Sequence, residues 1–157
     1  MAPAVATRSA KRGSTAANVQ DYHSASELRE VIERTLEAVD KSTTAGNSLR
    51  AAGLSLRVEV SDLKAVFSIR VSNEPGHYIH WRFDRRGRPK PRLTLRMDSE
   101  VANAWLQGRE SVPVAIARRR MKYTGNARDA LRYLPVLKVI SERYRKVVRS
   151  DYPHLAI

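Results

Sequence analysis

The sequence has no cysteine and no apolar run of 18 residues or more. Without cysteine there is no disulfide framework, no thiolate nucleophile and no cysteine metal ligand. This composition fits a reducing compartment, and we expect a cytoplasmic protein. A run of about 18 apolar residues is the usual minimum for a membrane-spanning helix, so the sequence predicts none.

Patterns typical of catalysis are also missing. There is no glycine-rich phosphate loop, no Gly-x-Ser-x-Gly elbow and no isolated carboxylate pair in an apolar setting. The four histidines are scattered along the chain, and His77 and His80 have no third ligand type at metal-binding spacing. The sequence therefore predicts a noncatalytic protein that needs no metal and no cofactor.

The length and apolar content of the chain indicate one globular domain. The chain has 157 residues, of which 42% are apolar, enough for a core of its own. Residues 1–22 are rich in Ala, Ser and Thr and contain no acid before Asp21, which predicts a disordered basic tail. An organelle transit peptide is the alternative, because such peptides are also basic and acid-poor. The domain is then expected over residues 23–152, with a short tail at 153–157.

The first helix is predicted from residue 24. Ser24 and Glu27 have capping-box spacing, in which the hydroxyl and the carboxylate satisfy backbone amides of the first turn. The apolar residues that follow recur at helical spacing, and they are Leu28, Val31, Ile32, Leu36 and Val39. This stripe is expected to pack on a sheet.

Further helices are predicted in the second half of the chain. Asp98 and Asn126 are suited to N-cap positions, and Pro113 is suited to the first turn of a short helix. Pro135 is expected to break or kink the helix after Asn126. A separate amphipathic helix is then predicted over Val136–Val148.

Five segments have the alternating pattern of half-buried strands. They are Leu54–Val60, Ala65–Val71, Ile79–Phe83, Leu93–Met97 and Met121–Thr124. Consecutive strands separated by turn residues favour antiparallel pairs with one apolar face. The sequence thus predicts an α+β fold, a five-stranded, largely antiparallel sheet with helices covering one face.

One stretch of the chain follows a family pattern without a gap from residue 97 to residue 126. The matching residues are Met97, Asp98-Ser99-Glu100, Leu106-Gln107-Gly108, Ala115-Ile116, Met121-Lys122-Tyr123 and Gly125-Asn126. The stretch resembles the sterol carrier protein type-two (SCP2-like) domain, and the likeness extends more loosely upstream to Leu54. The chain departs from the family at Arg119, where the family usually has glycine.

The resemblance implies a hydrophobic tunnel between sheet and helices that takes a lipid, such as a sterol, a fatty acid, an acyl-CoA or a phospholipid. It implies that the helix over Val136–Val148 lies beside the opening as a lid. The residues expected to line the tunnel are Phe67, Ile69, Trp81, Phe83, Leu95, Trp105, Leu106, Ile116, Leu134, Leu137 and Ile140. An ordinary filled core is the alternative, because a cavity leaves no periodic signal in a sequence.

The formal net charge of +13 points to anionic partners. Two basic clusters are expected to bind an anionic surface, and their residues are Arg82, Arg85, Arg86, Arg88, Lys90, Arg118, Arg119 and Arg120. Such clusters are either solvated surface or a peripheral contact with an anionic membrane, where each cation contributes about 1 kcal/mol. The alternative is a basic scaffold with a filled core that binds nucleic acid or a protein partner. Nucleic acid is less favoured than a membrane, because the strands lack an exposed aromatic ladder for base stacking.

Overall fold

A computed structural model describes residues 21–84 and 90–157 of the chain. It contains five strands, five α-helices and a C-terminal 3₁₀-helix. The strands are β1 (Ser55–Val60), β2 (Ala65–Val71), β3 (Ile79–Arg82), β4 (Leu93–Met97) and β5 (Met121–Gly125). The helices are α1 (Ala25–Asp40), α2 (Thr43–Ala52), α3 (Ser99–Leu106), α4 (Val112–Ala117), α5 (Ala127–Asp151) and the 3₁₀-helix (Pro153–Leu155).

The strands form one sheet in the order β3-β2-β1-β4-β5. Only β1 and β4 run parallel, and the other three pairs are antiparallel. The prediction of an α+β fold with a five-stranded, largely antiparallel sheet is confirmed. The chain leaves β3 at one edge and re-enters beside β1 as β4, so that β3 and β5 become the two edges.

Alternation along each strand gives the sheet two different faces. Val58 on β1 pairs with Phe67 on β2 and with Leu95 on β4, and all three side chains are buried. The helices pack on this side, with α1 over β2, α2 over β3 and α4 against β5. We call it the covered face, and the opposite side the open face.

Helix α1 buries the apolar stripe predicted from the sequence. The side-chain oxygen of Ser24 accepts a hydrogen bond from the Glu27 amide at 3.1 Å, so the predicted N-cap is confirmed. All five residues of the apolar stripe on α1 are buried. On its other side α1 packs against α5, which also crosses α2 and α3.

Two local predictions are wrong in detail. Pro135 does not end a helix, because α5 continues through it. The carbonyl left without a partner would belong to Leu131, whose exposed position lets water satisfy it. Asp98 occupies the N-cap of α3 but makes no side-chain cap bond. Asp62 replaces it, accepting from the amide and the hydroxyl of Ser99 at 2.8 and 2.6 Å.

A buried polar network fixes α5 against α3 and the C-terminal segment. The Tyr144 hydroxyl donates to Asn103 Oδ1 at 2.7 Å and also contacts the Tyr22 hydroxyl. Burial raises the pKa of Tyr144 well above its ordinary value, so its hydroxyl remains a donor. Asn103 and Gln107 both donate to the Leu155 carbonyl, at 3.0 and 2.7 Å. Residues 153–157 are therefore packed onto α3.

No helix in the described part of the chain is long and apolar enough to cross a membrane.

Candidate functional site

An apolar pocket of about 260 Å³ lies between the α3–α4 connection and α5. Its lining consists of Trp105, Gly108, Glu110, Ser111, Val112, Pro113, Leu134, Leu137, Lys138 and Ser141. Trp105, Val112 and Leu137 are buried and Leu134 is half-buried, so these four side chains form an apolar floor and wall. Ser141 is a buried polar residue of the lining, and Gly108 and Lys138 are exposed.

Local sequence explains why the chain opens here. At the end of α3, Gly108 adopts φ +79° and turns the chain away from the helix. Ser111 then caps α4 by accepting from the Val114 amide at 3.3 Å, and Pro113 occupies the first turn. The pocket therefore lies where the chain turns between α3 and α4, with α5 on its other side.

The rim of the pocket carries one unpaired cation. Glu110 is neutralised by Arg120, with 3.2 Å between carboxylate and guanidinium. Lys138 is exposed and forms no ion pair with any residue that the structure describes. An anionic group at the pocket mouth would therefore meet a free ammonium group.

Exposed apolar surface continues outward from the pocket. Leu131 lies one helical turn before Leu134 on α5 and is 66% exposed. Val114, next to Pro113 on α4, is 43% exposed. Large exposed apolar side chains beside a pocket are typical of an apolar ligand's entry path.

The predicted tunnel residues fall into three groups. Trp105, Leu134 and Leu137 line the pocket. Five others are buried in the main core, and they are Phe67, Ile69, Leu95, Leu106 and Ile140. Three pack against that core while partly exposed, and they are Trp81, Phe83 and Ile116.

Sequence reasoning missed the contribution of the α3–α4 connection, from Gly108 to Pro113. A helix stop at Gly108 and a helix start at Pro113 are visible in the sequence. Those signals locate the connection along the chain, but they do not say that α5 passes opposite it.

The described members of the two predicted basic clusters lie toward opposite edges of the sheet. Arg82 ends β3, whereas Arg118, Arg119 and Arg120 connect α4 to β5. Four strand spacings separate β3 from β5, about 19 Å. Lys90 is exposed ahead of β4. Arg85, Arg86 and Arg88 lie outside the described residues.

Between these two edges, the open face of the sheet carries further cations. Its register places five cations and one carboxylate on the same side, Arg57, Arg70, Arg82, Arg96, Lys122 and Glu59. Glu59 accepts from Arg96 at 2.9 and 2.7 Å. Ser68, Thr94 and Thr124 occupy positions between the cations. The strands' polar positions are visible in the sequence, but only the strand order brings them onto one surface.

Arg119, where the resembled family usually has glycine, adopts a backbone conformation that favours glycine. It adopts φ +61°, and its amide donates to the Ile116 carbonyl at 3.0 Å. The Arg120 amide donates to the Ala115 carbonyl at 2.8 Å. These two bonds form a Schellman motif, which favours glycine at the position of Arg119. The departure therefore changes the side chain and leaves the helix end intact.

A wider polar opening of about 690 Å³ lies at the start of α3. Its charged residues are four acids and four bases, Asp21, Asp62, Asp98, Glu100, Arg96, Arg119, Arg120 and Lys122. The charges balance, and Asp62 is engaged in capping α3. We therefore regard the smaller apolar pocket as the better candidate for a ligand site.

Several solved structures share this architecture. A possible sterol carrier protein from Thermus thermophilus is 12% identical, with a TM-score of 0.57 over 75% of this chain and 86% of that one. The apo form of sterol carrier protein 2 from Yarrowia lipolytica is 13% identical, with a TM-score of 0.55 over 74% of this chain and 91% of that one.

A sec-alkylsulfatase from Pseudomonas sp. is similar over 58% of this chain at 16% identity and a TM-score of 0.48, but the match spans only 14% of that enzyme. No protein-family model matches the sequence, and no curated protein matches it. The structural likeness to the Thermus and Yarrowia proteins shows that this chain has the SCP2-like fold.

Proposed function

We propose that this chain is a noncatalytic lipid-binding domain whose pocket holds the acyl chain of a fatty acid. The observation that carries the proposal is the apolar pocket formed by Trp105, Val112, Leu134 and Leu137, with the free ammonium group of Lys138 at its rim. The fold supports the proposal by analogy only. One fold can host unrelated functions, so the pocket and not the fold carries the argument.

The size of the pocket favours an acyl chain over a sterol. Pockets that enclose drug-sized ligands have volumes of roughly 300–1,000 Å³, and this pocket has about 260 Å³. It is large enough for part of a flexible chain. Each buried methylene contributes about 0.8 kcal/mol, so chain length should control the affinity.

The test is a titration of saturated fatty acids of increasing length. We expect the affinity to rise about fourfold per added methylene and to level off once the pocket is full. Native mass spectrometry of the purified chain, followed by solvent extraction, identifies any lipid already bound. An affinity that does not depend on chain length would contradict the proposal.

Lys138 provides a matched test of ligand orientation. Lys138→Glu should weaken binding of a fatty acid but leave binding of the fatty alcohol of equal length unchanged, because only the acid has a carboxylate. Lys146→Glu is the control, since Lys146 is also exposed on α5 and does not line the pocket. Equal losses in both variants would show that general charge, not contact with Lys138, attracts the ligand.

A second candidate function is suggested by the open face, where five cations lie beside one carboxylate. Four of the five cations are arginines, whose guanidinium groups bind phosphate through paired hydrogen bonds. At the described strand positions that face this side, the one apolar side chain is Val66. Apolar insertion, which strengthens peripheral membrane binding, therefore has little to contribute, and we propose a nucleic-acid duplex as the partner of this face.

The test is binding to duplex DNA as a function of salt. Each phosphate contact contributes about −0.9 to the slope of log affinity against log salt concentration, so Arg70→Gln should reduce the slope by about one contact. Arg149→Gln should leave the slope unchanged, because Arg149 is exposed on α5, away from the open face. If Arg70→Gln weakens binding to vesicles of anionic lipid and leaves DNA binding unchanged, the partner is a membrane.

A further inference from the structure

The two ends of the described chain meet at a cluster of two histidines and a glutamate. His23 precedes α1, Glu27 lies in its first turn, and His154 lies in the 3₁₀-helix. The Glu27 carboxylate is 3.0 Å from His154 Nε2 and 3.5 Å from His23 Nδ1. The two imidazole rings stack with 4.2 Å between centroids. The sequence predicted scattered histidines without a metal site, and the fold brings two of them together.

Several contacts hold these side chains in place. The His23 amide donates to Glu27 Oε1 at 2.8 Å, which orients the carboxylate toward the helix start. The Tyr152 hydroxyl donates to Glu30 at 2.7 Å and fixes the 3₁₀-helix against α1. His154 and Glu27 are half-buried, whereas the side chain of His23 is 70% exposed. Two ligands are thus preformed, and the third is free to rotate.

The geometry matches what a transition-metal ion requires. One ligand atom from each residue can be chosen so that all three lie within 4.8 Å of one another. In a tetrahedral zinc site with bonds of about 2.0–2.1 Å, ligand atoms are about 3.3 Å apart. The two distances from Glu27 are already near that value, and the ligand nitrogens of His23 and His154 lie within 4.8 Å of each other, so rotation of the exposed His23 side chain can close the third side.

We propose that His23, Glu27 and His154 form a binding site for a divalent transition-metal ion of the zinc type. Two imidazole nitrogens and one carboxylate form a ligand set that suits Zn²⁺, Co²⁺ and Ni²⁺ better than Mg²⁺ or Ca²⁺. The fourth coordination position is left to water. The bound ion joins the start of α1 to the C-terminal segment, so it stabilises the folded chain by mass action.

The experiment uses the full chain without a histidine tag, freed of metal by a chelator. Calorimetric titration with Zn²⁺ should show one ion bound per chain. Titration with Co²⁺ should show the visible absorption of a low-coordinate site, and Mg²⁺ should show neither effect. His23→Gln and His154→Gln should each weaken Zn²⁺ binding at least tenfold, since even the loss of an outer-shell partner costs 10–100-fold.

His80→Gln is the matched control, because His80 lies on β3 away from the cluster. If His154→Gln fails to fold by circular dichroism, His23→Gln supplies the result, since its exposed side chain contributes little packing. Zn²⁺ binding that is equal in His23→Gln and His80→Gln, or no saturable binding to the unaltered chain, would overturn the proposal. The site shares no residue with the apolar pocket, so its outcome does not depend on lipid binding.

Discussion

Leu95 and Thr94 are neighbours on β4, yet they lie on faces of opposite chemistry. Leu95 has no exposed surface and packs among side chains of the covered face. Thr94 points to the open face, between Arg57 on β1 and Thr124 on β5. A strand with alternating residues thus separates the apolar core from a cationic surface by one residue position.

Polar groups also differ between the two sides. On the helix side, Asp40 is buried at the end of α1, and it accepts from the amides of Tyr78 and Ile79 at 2.7 and 3.1 Å. On the open face, Glu59 is paired with an exposed arginine, Arg96. Both carboxylates are largely buried, but the partners of Asp40 are backbone amides that need a protein acceptor, whereas the partner of Glu59 is an arginine that water can also reach.

The largest effect is expected from placing a charge on each face of β4. Leu95→Lys should lower the free energy of unfolding by more than about 4 kcal/mol or prevent folding, because it buries an unpaired charge. Thr94→Lys should change it by no more than about 1 kcal/mol, the range of strand propensities. Urea unfolding measures both values. Similar losses would mean that the open face is covered.

The next largest effect is expected from removing one of two carboxylates, Asp40 on the helix side or Glu59 on the open face. Asp40→Ala should cost about 2–3 kcal/mol, because it leaves buried amides without an acceptor. Glu59→Ala should cost no more than about 1 kcal/mol, because the partner Arg96 is exposed and water can replace the carboxylate. The measurement is again the free energy of unfolding in urea. A loss at Glu59 as large as that at Asp40 would contradict the distinction between the faces.

The Asp40 pair also predicts a pH dependence. Burial raises the pKa of Asp40, but hydrogen bonds from His77, Tyr78 and Ile79 outweigh it and hold the pKa below its usual range. The stability from Asp40 is therefore present above about pH 4 and is lost as pH falls toward its folded pKa.

The hydrogen bond and charge of Asp40 raise the pKa of His77. The contribution of His77 is therefore full below about pH 6.5 and is lost as pH rises through its folded pKa. Unfolding measured from pH 3 to pH 9 should show that Asp40→Ala costs most between these limits. A cost that does not change with pH would contradict this assignment.

A smaller effect is expected from removing one buried hydroxyl. Tyr144→Phe should cost about 1–2 kcal/mol, because the buried Tyr22 hydroxyl and Asn103 lose a partner. Tyr123→Phe is the matched control on edge strand β5, where the side chain is 41% exposed, and should change stability by less than about 0.5 kcal/mol. Thermal unfolding compares the two. Equal losses would mean that the Tyr144 hydroxyl is not a structural link.

The smallest effect concerns two helix ends built alike. Gly108 ends α3 and Arg119 ends α4 in the same Schellman arrangement, at φ +79° and +61°. Arg119→Gly should stabilise the chain by about 1 kcal/mol, because an L-residue in this region costs roughly 1–2 kcal/mol and glycine loses part of that gain in entropy. Gly108→Ala should destabilise it. A loss of stability in Arg119→Gly would mean that the arginine side chain makes a compensating contact.

Much of the fold was predictable from local patterns. The stripe on α1 and the alternation of β1 each report which side of one element is buried, and both were confirmed. Ser24 was a correct cap because its partner is three residues away. Asp98 was placed correctly at the N-cap but makes no cap bond, and Asp62, distant in sequence, accepts from the first amide of the helix instead. The separate helix predicted after Pro135 was wrong because an exposed turn tolerates the missing hydrogen bond.

The sequence by itself determined the types of the elements, the face that each one buries and the excess of positive charge. These features depend on residues within a turn or a strand of one another. The tertiary structure alone decided that β4 inserts beside β1, that cations from all five strands share one open face, and that His23 meets His154. It also decided which predicted tunnel residues surround a pocket, because that depends on how α3, α4 and α5 pack, and packing between distant segments leaves no periodic trace along the chain.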